Sequence, residues 1–400
     1  MDRSHYRLFS PAAIAGLNIP NRLIRSATWD PCILRSRQMT DEVLDLYRTL
    51  TFGGVGAIIS GGFPVYRERS DQEPGGPVRV YSDLRIHGLE KMPEVVHRAR
   101  PECKIFAQLE TGQVNAGPSS ISSAFSKEPT RTLSVHEIEQ IAACFVTGIV
   151  DMQQAGFDGV QLHAAHGGLL SRFLSPYTNR REDDYGGSVE NRVSIIRQIV
   201  SQARREVNDF PILIKLNCTD YMVGGIDRSN FPALAAEIAR AGVDAIEISG
   251  GMRDCLARSS AELGFRDVPT AEAHTRIRNP EKQSYFLPDA EQLDLDIPII
   301  LVGGNRDVER LETIIQGEKV DFVALCRPLI REPGLPDRWK AGIGGRLPEC
   351  VSCNSCIYAM QVHPGLDEPA LVSCVCKNDK KLHQAAQRWL NSWKKTNFTK

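Results

Sequence analysis

The 400-residue chain is 42% hydrophobic and 24% charged, with a formal net charge of −1, a balance that suits a globular protein able to bury a core without staples. It offers no basic stripe for nucleic acid and no polybasic patch for a membrane surface. No run of 18 apolar residues is present, and the opening MDRSHYRLFSP lacks an apolar signal core, so the expectation is a cytoplasmic protein with no nucleic-acid or membrane partner.

In chain order, residues 8–20 (LFSPAAIAGLNIP) read as a small hairpin. Eight short runs rich in Ile and Val follow: NRLIRSAT (21–28), GAIIS (56–60), KIFAQL (104–109), GVQLH (159–163), ILIKLN (212–217), AIEIS (245–249), PIILVG (298–303) and DFVALC (321–326). Near-continuous hydrophobicity marks parallel strands covered on both faces. Amphipathic segments at 40–53, 134–156, 188–207, 230–242 and 306–318 lie between them. Thr40 and Ser134 stand as N-caps, with Glu137 completing a capping box. Gly53, Gly156, Gly242 and Gly317 stand where helices should stop. Alternation of eight strands with helices predicts an α/β fold, a (β/α)₈ TIM barrel over residues 1–345 with an N-terminal hairpin cap. The rival doubly wound sheet lacks a G-x-G-x-x-G turn. A polar stretch at 251–288 is expected to be a lid or binding loop. A cysteine-rich C-terminal extension, 346–400, is expected to pack on the barrel.

Barrel chemistry sits at the C-terminal strand ends. Those ends carry His163 and His166 after strand four, Lys215 on strand five, and Gly303–Gly304 after strand seven. Cys326 and Arg327 follow strand eight. The last two loops commonly cradle phosphate, glycine letting backbone N–H groups approach and Arg pairing the anion; a plain tight turn is the alternative. The two histidines read as paired hydrogen-bond donors, as a satisfied core network, or as zinc ligands, although the H-E-x-x-H helical spacing and a nearby third ligand are missing.

The segment HAAHGGLLSRFLSPYTNRREDDYGGSVENR (163–192) resembles the old yellow enzyme family of FMN oxidoreductases, through its H-A-A-H turn and its N-x-R-x-D-x-Y-G-G-S-x-E-N-R run. LFSPAAIAGLNIPNRLIRSAT, FAQLETGQ and LVGGNRDVERLETIIQGEKVDFVALCRPLIREP match further family segments in order, so the likeness covers about residues 8–335. The resemblance implies FMN at the barrel mouth, reduced by NAD(P)H. Ser26, Ala27, Thr28, Trp29 and Gly62 would line the flavin ring, Gln108 would contact its amide, and Lys215 would approach N1/O2. Gly303, Gly304, Cys326 and Arg327 would hold the phosphate. His163 and His166 would be catalytic, gripping the oxygen of an α,β-unsaturated carbonyl or nitro substrate while hydride reaches the β-carbon.

Two departures qualify that implication. The family's H-A-A-H-G-Y has a proton-donating tyrosine where this chain has Gly168. The proton then comes from water, from a lid residue such as the substrate-facing Tyr285, or from nowhere, which leaves an isomerase or desaturase without net reduction as the alternative. Lys215 replaces the family's more usual arginine, keeping charge but losing the fork. The tail CVSCNSCIYAMQVHPGLDEPALVSCVCKN resembles the cluster segment of dienoyl-CoA reductases, which makes Cys350, Cys353, Cys356 and Cys374 candidate ligands of an Fe–S cluster or zinc. With no second flavin domain among the 400 residues to feed such a cluster, free thiols are expected instead. A non-catalytic metal- or thiol-binding barrel is the reading from another class. Trp29, Phe63, Tyr66 and Tyr285 are expected to shape specificity for a small electron-poor alkene, in a monomer or homodimer.

Overall fold

The computed structural model describes residues 2–29, 38–68, 80–82, 86–111, 115–123, 128–265, 270–361 and 371–398. Eight parallel strands close into a barrel: β1 (Leu23–Arg25), β2 (Ala57–Glu68), β3 (Lys104–Thr111), β4 (Gly159–Ala164), β5 (Ile212–Asn217), β6 (Ala245–Ser249), β7 (Ile299–Leu301) and β8 (Phe322–Leu325). Each pairs with its sequence neighbours, and β8 pairs with β1, Ala324 opposite Ile24, to complete the ring. Every strand falls within or over one of the eight apolar runs.

Period-two alternation sorts these strands into two cores. Outward residues such as Leu23, Ile58, Ile105, Val160, Ile214 and Ile246 join the main core, with Leu50, Ile141, Ile199 and Leu234 of the surrounding helices. Inward residues Ile24, Ala57, Ile59, Phe106, Leu213, Ala245, Ile300, Phe322 and Ala324 form a second cluster. Ile14 and Ile19 join it from an antiparallel hairpin, Ala12–Ile14 against Leu17–Ile19. The hairpin thus closes the apolar end, and polar residues fill the barrel above it.

The helices follow the capping signals. Ser134 and Glu137 form the capping box of Val135–Gln154, and Thr40 caps Asp41–Phe52. The segment at 188–207 divides into Val189–Arg192 and Ser194–Val207. Glycine stops differ in detail. Gly156 and Gly242 take the left-handed conformation, whereas Gly53 and Gly317 stay right-handed and the turn falls one residue later, on Gly54 and Glu318. Gly53 is required for contact: a Cβ there would stand 2.0 Å from the Pro333 carbonyl oxygen.

One expectation about specificity changes. Phe63 points outward, fully buried, with its ring edge-on to Phe157 at 6.2 Å. Its neighbour Gly62 faces inward, and the pleat sends the next side chain to the helix layer. The side chain of Tyr66 lies outside the described residues. The stretch at 251–288 is folded around its own small core of Cys255, Leu256, Leu263 and Ala271, against which Trp389 of the C-terminal helix packs; residues 266–269 lie outside the described set.

Candidate active site

Above the apolar floor the inward positions carry a chain of hydrogen bonds. Gln108 Nε2 donates to Gln161 Oε1 at 2.7 Å, and Gln161 Nε2 donates to Glu247 Oε2 at 2.7 Å. The hydroxyl of Ser26 donates to Glu247 Oε1 at 2.5 Å, and Lys215 Nζ reaches Ser26 Oγ at 3.0 Å and Glu247 Oε1 at 3.3 Å. All five side chains are buried. Glu247 is a charge removed from water, held by one cation and two further donors. Neither Gln161 nor Glu247 stands out in the sequence reading. Each is nonetheless the polar residue inside an apolar run, two positions before His163 and Ser249 on the same strand face.

His163 ends β4, and His166 sits on the turn that follows with φ of 59°. Asn217, at the end of β5, fixes that turn: its Oδ1 accepts the His166 backbone N–H at 3.1 Å, and its amide donates to Asp220 Oδ1 and the Gly251 carbonyl. His166 Nε2 lies 2.7 Å from Ser249 Oγ, and the two imidazole centroids are 5.1 Å apart. His163 Nδ1 is buried with no hydrogen-bond partner among the described residues, a state that a ligand would relieve. Burial pushes the His163 ring down to about 3, with the Lys215 ammonium adding to the effect. Burial also holds His166 well below its ordinary value, with His163 and Lys215 contributing. Both rings are therefore neutral near pH 7 and offer donors without charge.

One cavity of about 390 Å³ gathers these groups. Ser26, Ala27, Thr28, Trp29, Gly62, Gln108, His163, His166, Lys215, Tyr285, Gly303, Gly304, Cys326 and Arg327 all line it. Trp29 is 43% exposed at its edge. The sequence does not single out several other residues as lining: Glu110 and Arg306 at the strand ends, Thr270 and Glu272 within the stretch at 251–288 expected to be a lid or binding loop, and Ser352, Cys356 and Ile357 from the tail. Nothing in barrel periodicity signals that the tail folds over the mouth.

Gly303 and Gly304 have φ of 104° and 76°. A Cβ on either would meet the rings of Tyr285 or Phe286 at 2.7–2.9 Å. Beside them stand two guanidinium groups. Arg327 donates to the His274 carbonyl at 2.8 Å and to the side chain of Asn354. Arg306 donates to the hydroxyl of Ser352 and the carbonyl of Cys350. Neither forms an ion pair with a carboxylate among the described residues, and the Glu272 carboxyl is the acidic group that feels Arg327, so both guanidinium groups keep donors to offer an anion. Cys326 packs at their side, its sulfur 3.2 Å from Thr28 Oγ1. The donor set fits FMN: a dianionic phosphate would meet the two cations and the glycine turn, and a polar ring edge would meet Gln108, Lys215 and Ser26.

Tyr285 belongs to this anion end. Its hydroxyl donates to the Glu272 carbonyl at 2.7 Å, its ring stacks on His274 at 4.0 Å, and burial pushes it up to about 12. Among the four candidate ligand cysteines of the tail, Cys356 lines the cavity and Cys374 lies 3.9 Å from Arg331. Cys353 instead joins Cys376 and His383 as a group of donor atoms within 4.8 Å of one another. His383 Nδ1 is held by Ser355 Oγ at 2.8 Å.

Comparison with known proteins gives this geometry a family. The chain is 30% identical to an NADPH dehydrogenase of Halalkalibacterium halodurans, over 83% of this chain and 93% of that one. It is 29% identical to a metal reductase of Desulforamulus reducens over 87% of its own length, but spans only half of that protein. A 2-naphthoyl-CoA reductase in complex with 2-naphthoyl-CoA shares the fold, with a TM-score of 0.77 and 22% identity, covering 95% of this chain and 58% of that one. Among the described residues no helix is long and apolar enough to cross a membrane. A family model matches residues 7–345, and the chain belongs to the NADH:flavin oxidoreductase / NADH oxidase family, a family of FMN-dependent oxidoreductases that use NAD(P)H.

Proposed function

We propose that this protein reduces the activated C=C bond of α,β-unsaturated carbonyl or nitro compounds at the expense of NAD(P)H. The observation that carries the reading is the pair of neutral imidazoles, 5.1 Å apart, on the same cavity as two guanidinium groups that form no ion pair with a carboxylate among the described residues. Bound FMN would supply hydride storage and transfer. The protein's own residues do the rest. His163 and His166 donate to the substrate oxygen and stabilise the negative charge that grows there, and because neither ionises they need no reorganisation as it grows. Lys215, pinned by Glu247 and Ser26, holds one fixed positive charge at the ring edge. Arg306, Arg327 and the Gly303–Gly304 turn anchor the phosphate, and the tail residues Ser352 and Cys356 wall that end of the cavity.

The second reading, isomerisation or desaturation without net reduction, is favoured by one feature: Gly168, at the N-terminus of Leu169–Leu174, has no side-chain proton to give. Mixing the NAD(P)H-reduced protein with cyclic enones and nitroalkenes in a stopped-flow instrument separates the two. Reoxidation of the flavin by at least one of them is expected. Failure of every such compound, with substrate isomerised and no NAD(P)H consumed, would replace the first reading by the second.

A further inference from the structure

Reducing an alkene takes a proton as well as a hydride, and two carboxyl groups line the cavity besides the histidines: Glu110 and Glu272. Glu272 sits at the cationic end, where Lys215 and Arg327 act on its carboxyl and its carbonyl accepts from Tyr285. Tyr285 has its own proton committed to that carbonyl.

Glu110 stands apart from these cations. On β3 the pleat alternates Gln108 inward, Leu109 outward and Glu110 inward, one layer nearer the mouth than the glutamine network. Leu109 pairs with Leu162 of β4, so the next inward residue beside Glu110 is His163. On its other flank Glu110 pairs with Pro64 of β2. Its carboxyl lies over Gly62: a Cβ there would stand 2.6 Å from Glu110 Cδ and 2.7 Å from Oε1. Glycine at 62 thus makes room for this carboxyl at the cavity wall. Among the described residues the groups facing it are Gly62 and Pro64, which do not titrate, and His163, which stays neutral; the Lys215 ammonium is taken by Glu247 and Ser26. The carboxyl makes no hydrogen bond or ion pair among the described residues. Burial alone raises it to about 7.

We propose that Glu110 is the general acid of this site, the inward-facing carboxyl beside His163 that protonates the α-carbon of the alkene. This rests on the reductase reading above. As the β-carbon accepts the hydride that NAD(P)H ultimately supplies, the π electron pair forms a new C–H bond with the Glu110 proton. The carboxyl O–H bond breaks, and the carboxylate is reprotonated from water. The sum is alkene plus NAD(P)H plus H⁺ giving the saturated compound plus NAD(P)⁺. The proton missing at Gly168 is delivered from the neighbouring strand.

The test uses the flavin-loaded full chain and the variants Glu110→Gln and Glu110→Asp. Infrared difference spectra across pH 5–9 should show a protonated-carboxyl C=O band that titrates near 7 and vanishes in Glu110→Gln. In stopped-flow work, flavin reoxidation by an enone should fall in Glu110→Gln by about 10²–10⁴ relative to its reduction by NAD(P)H. In the parent protein it should fall tenfold per unit above pH 7, a limb that the variant lacks. Glu110→Asp, with a shorter reach to the same cavity, should recover part of the rate. A Glu110→Gln protein that keeps its flavin and reoxidises within twofold of the parent, with the same pH profile, overturns the proposal while leaving the reductase reading intact. A parent protein that no enone or nitroalkene reoxidises removes both.

Discussion

At the residue scale, the two histidines matter because they are neutral and positioned. His163→Ala leaves one donor of the pair, and a cost of about 10²–10³ in flavin reoxidation by an enone is expected, as for loss of one oxyanion donor; pre-steady-state kinetics measure it. Their burial also sets a pH dependence. An unfolded histidine takes up a proton near 6.5, whereas folded His163 does so only near 3. Between these values the unfolded chain binds more protons, so stability is full above about 6.5 and drains as the pH falls. Urea midpoints measured from pH 7 to pH 4 should decline less steeply in His163→Gln. Glu110 has the opposite sign. Its folded value, raised to about 7, means that stability is lost as the pH rises through that point, so Glu110→Gln should gain on the order of 2–3 kcal/mol at pH 8 and nothing at pH 4. Lys215 and Glu247 supply a third case. Glu247→Ala strands a buried ammonium and the Gln161 amide, for an expected loss of about 3–5 kcal/mol in chemical denaturation.

At the element scale, the strands and most helix starts were legible because each has a local cause. Parallel strands covered on both faces must be apolar throughout, and capping needs particular side chains at particular offsets. What escaped depends on facing. The direction of Phe63 follows from the register of β2 against β3, which shifts between Ile59 and Gly62, and a single chain does not reveal its bulges. Gln161 and Glu247 were visible as letters but not as partners, since their meeting depends on closure of the barrel. The same holds for Glu110, which the sequence does not single out and which the pleat turns inward. Gly303 shows how tightly an element end can be specified. Alanine there would need φ near 104° and would press on Tyr285 and Phe286. Strain of about 1–3 kcal/mol is expected, read as a flavin dissociation constant raised roughly 5- to 150-fold.

At the scale of the whole molecule, the sequence separated a cysteine-rich tail expected to pack on the barrel, but gave no hint of which end it would cover. The structure seats it on the anion end, through Asn354 to Arg327 and the Ala273 carbonyl, and through Ser352 to Arg306. The tail therefore completes the cavity wall. Asn354→Ala removes the anchors to Arg327 and the Ala273 carbonyl and leaves those to Arg306, and Cys356, now 9% exposed, should label faster with a thiol reagent, as mass spectrometry of timed quenches would show. Flavin dissociation should quicken with it, since Arg327 loses a positioning contact.

The account as a whole rests on one arrangement, a flavin whose phosphate meets the arginines while two imidazoles face a substrate oxygen across the same cavity. A crystal structure of the flavin-loaded protein soaked with p-hydroxybenzaldehyde tests it most directly. The account predicts the phosphate between the Gly303–Gly304 turn and Arg306 with Arg327, and the phenolate oxygen within hydrogen-bond reach of both His163 and His166. A phenolate bound away from the histidines, or a phosphate that touches neither arginine, would contradict it.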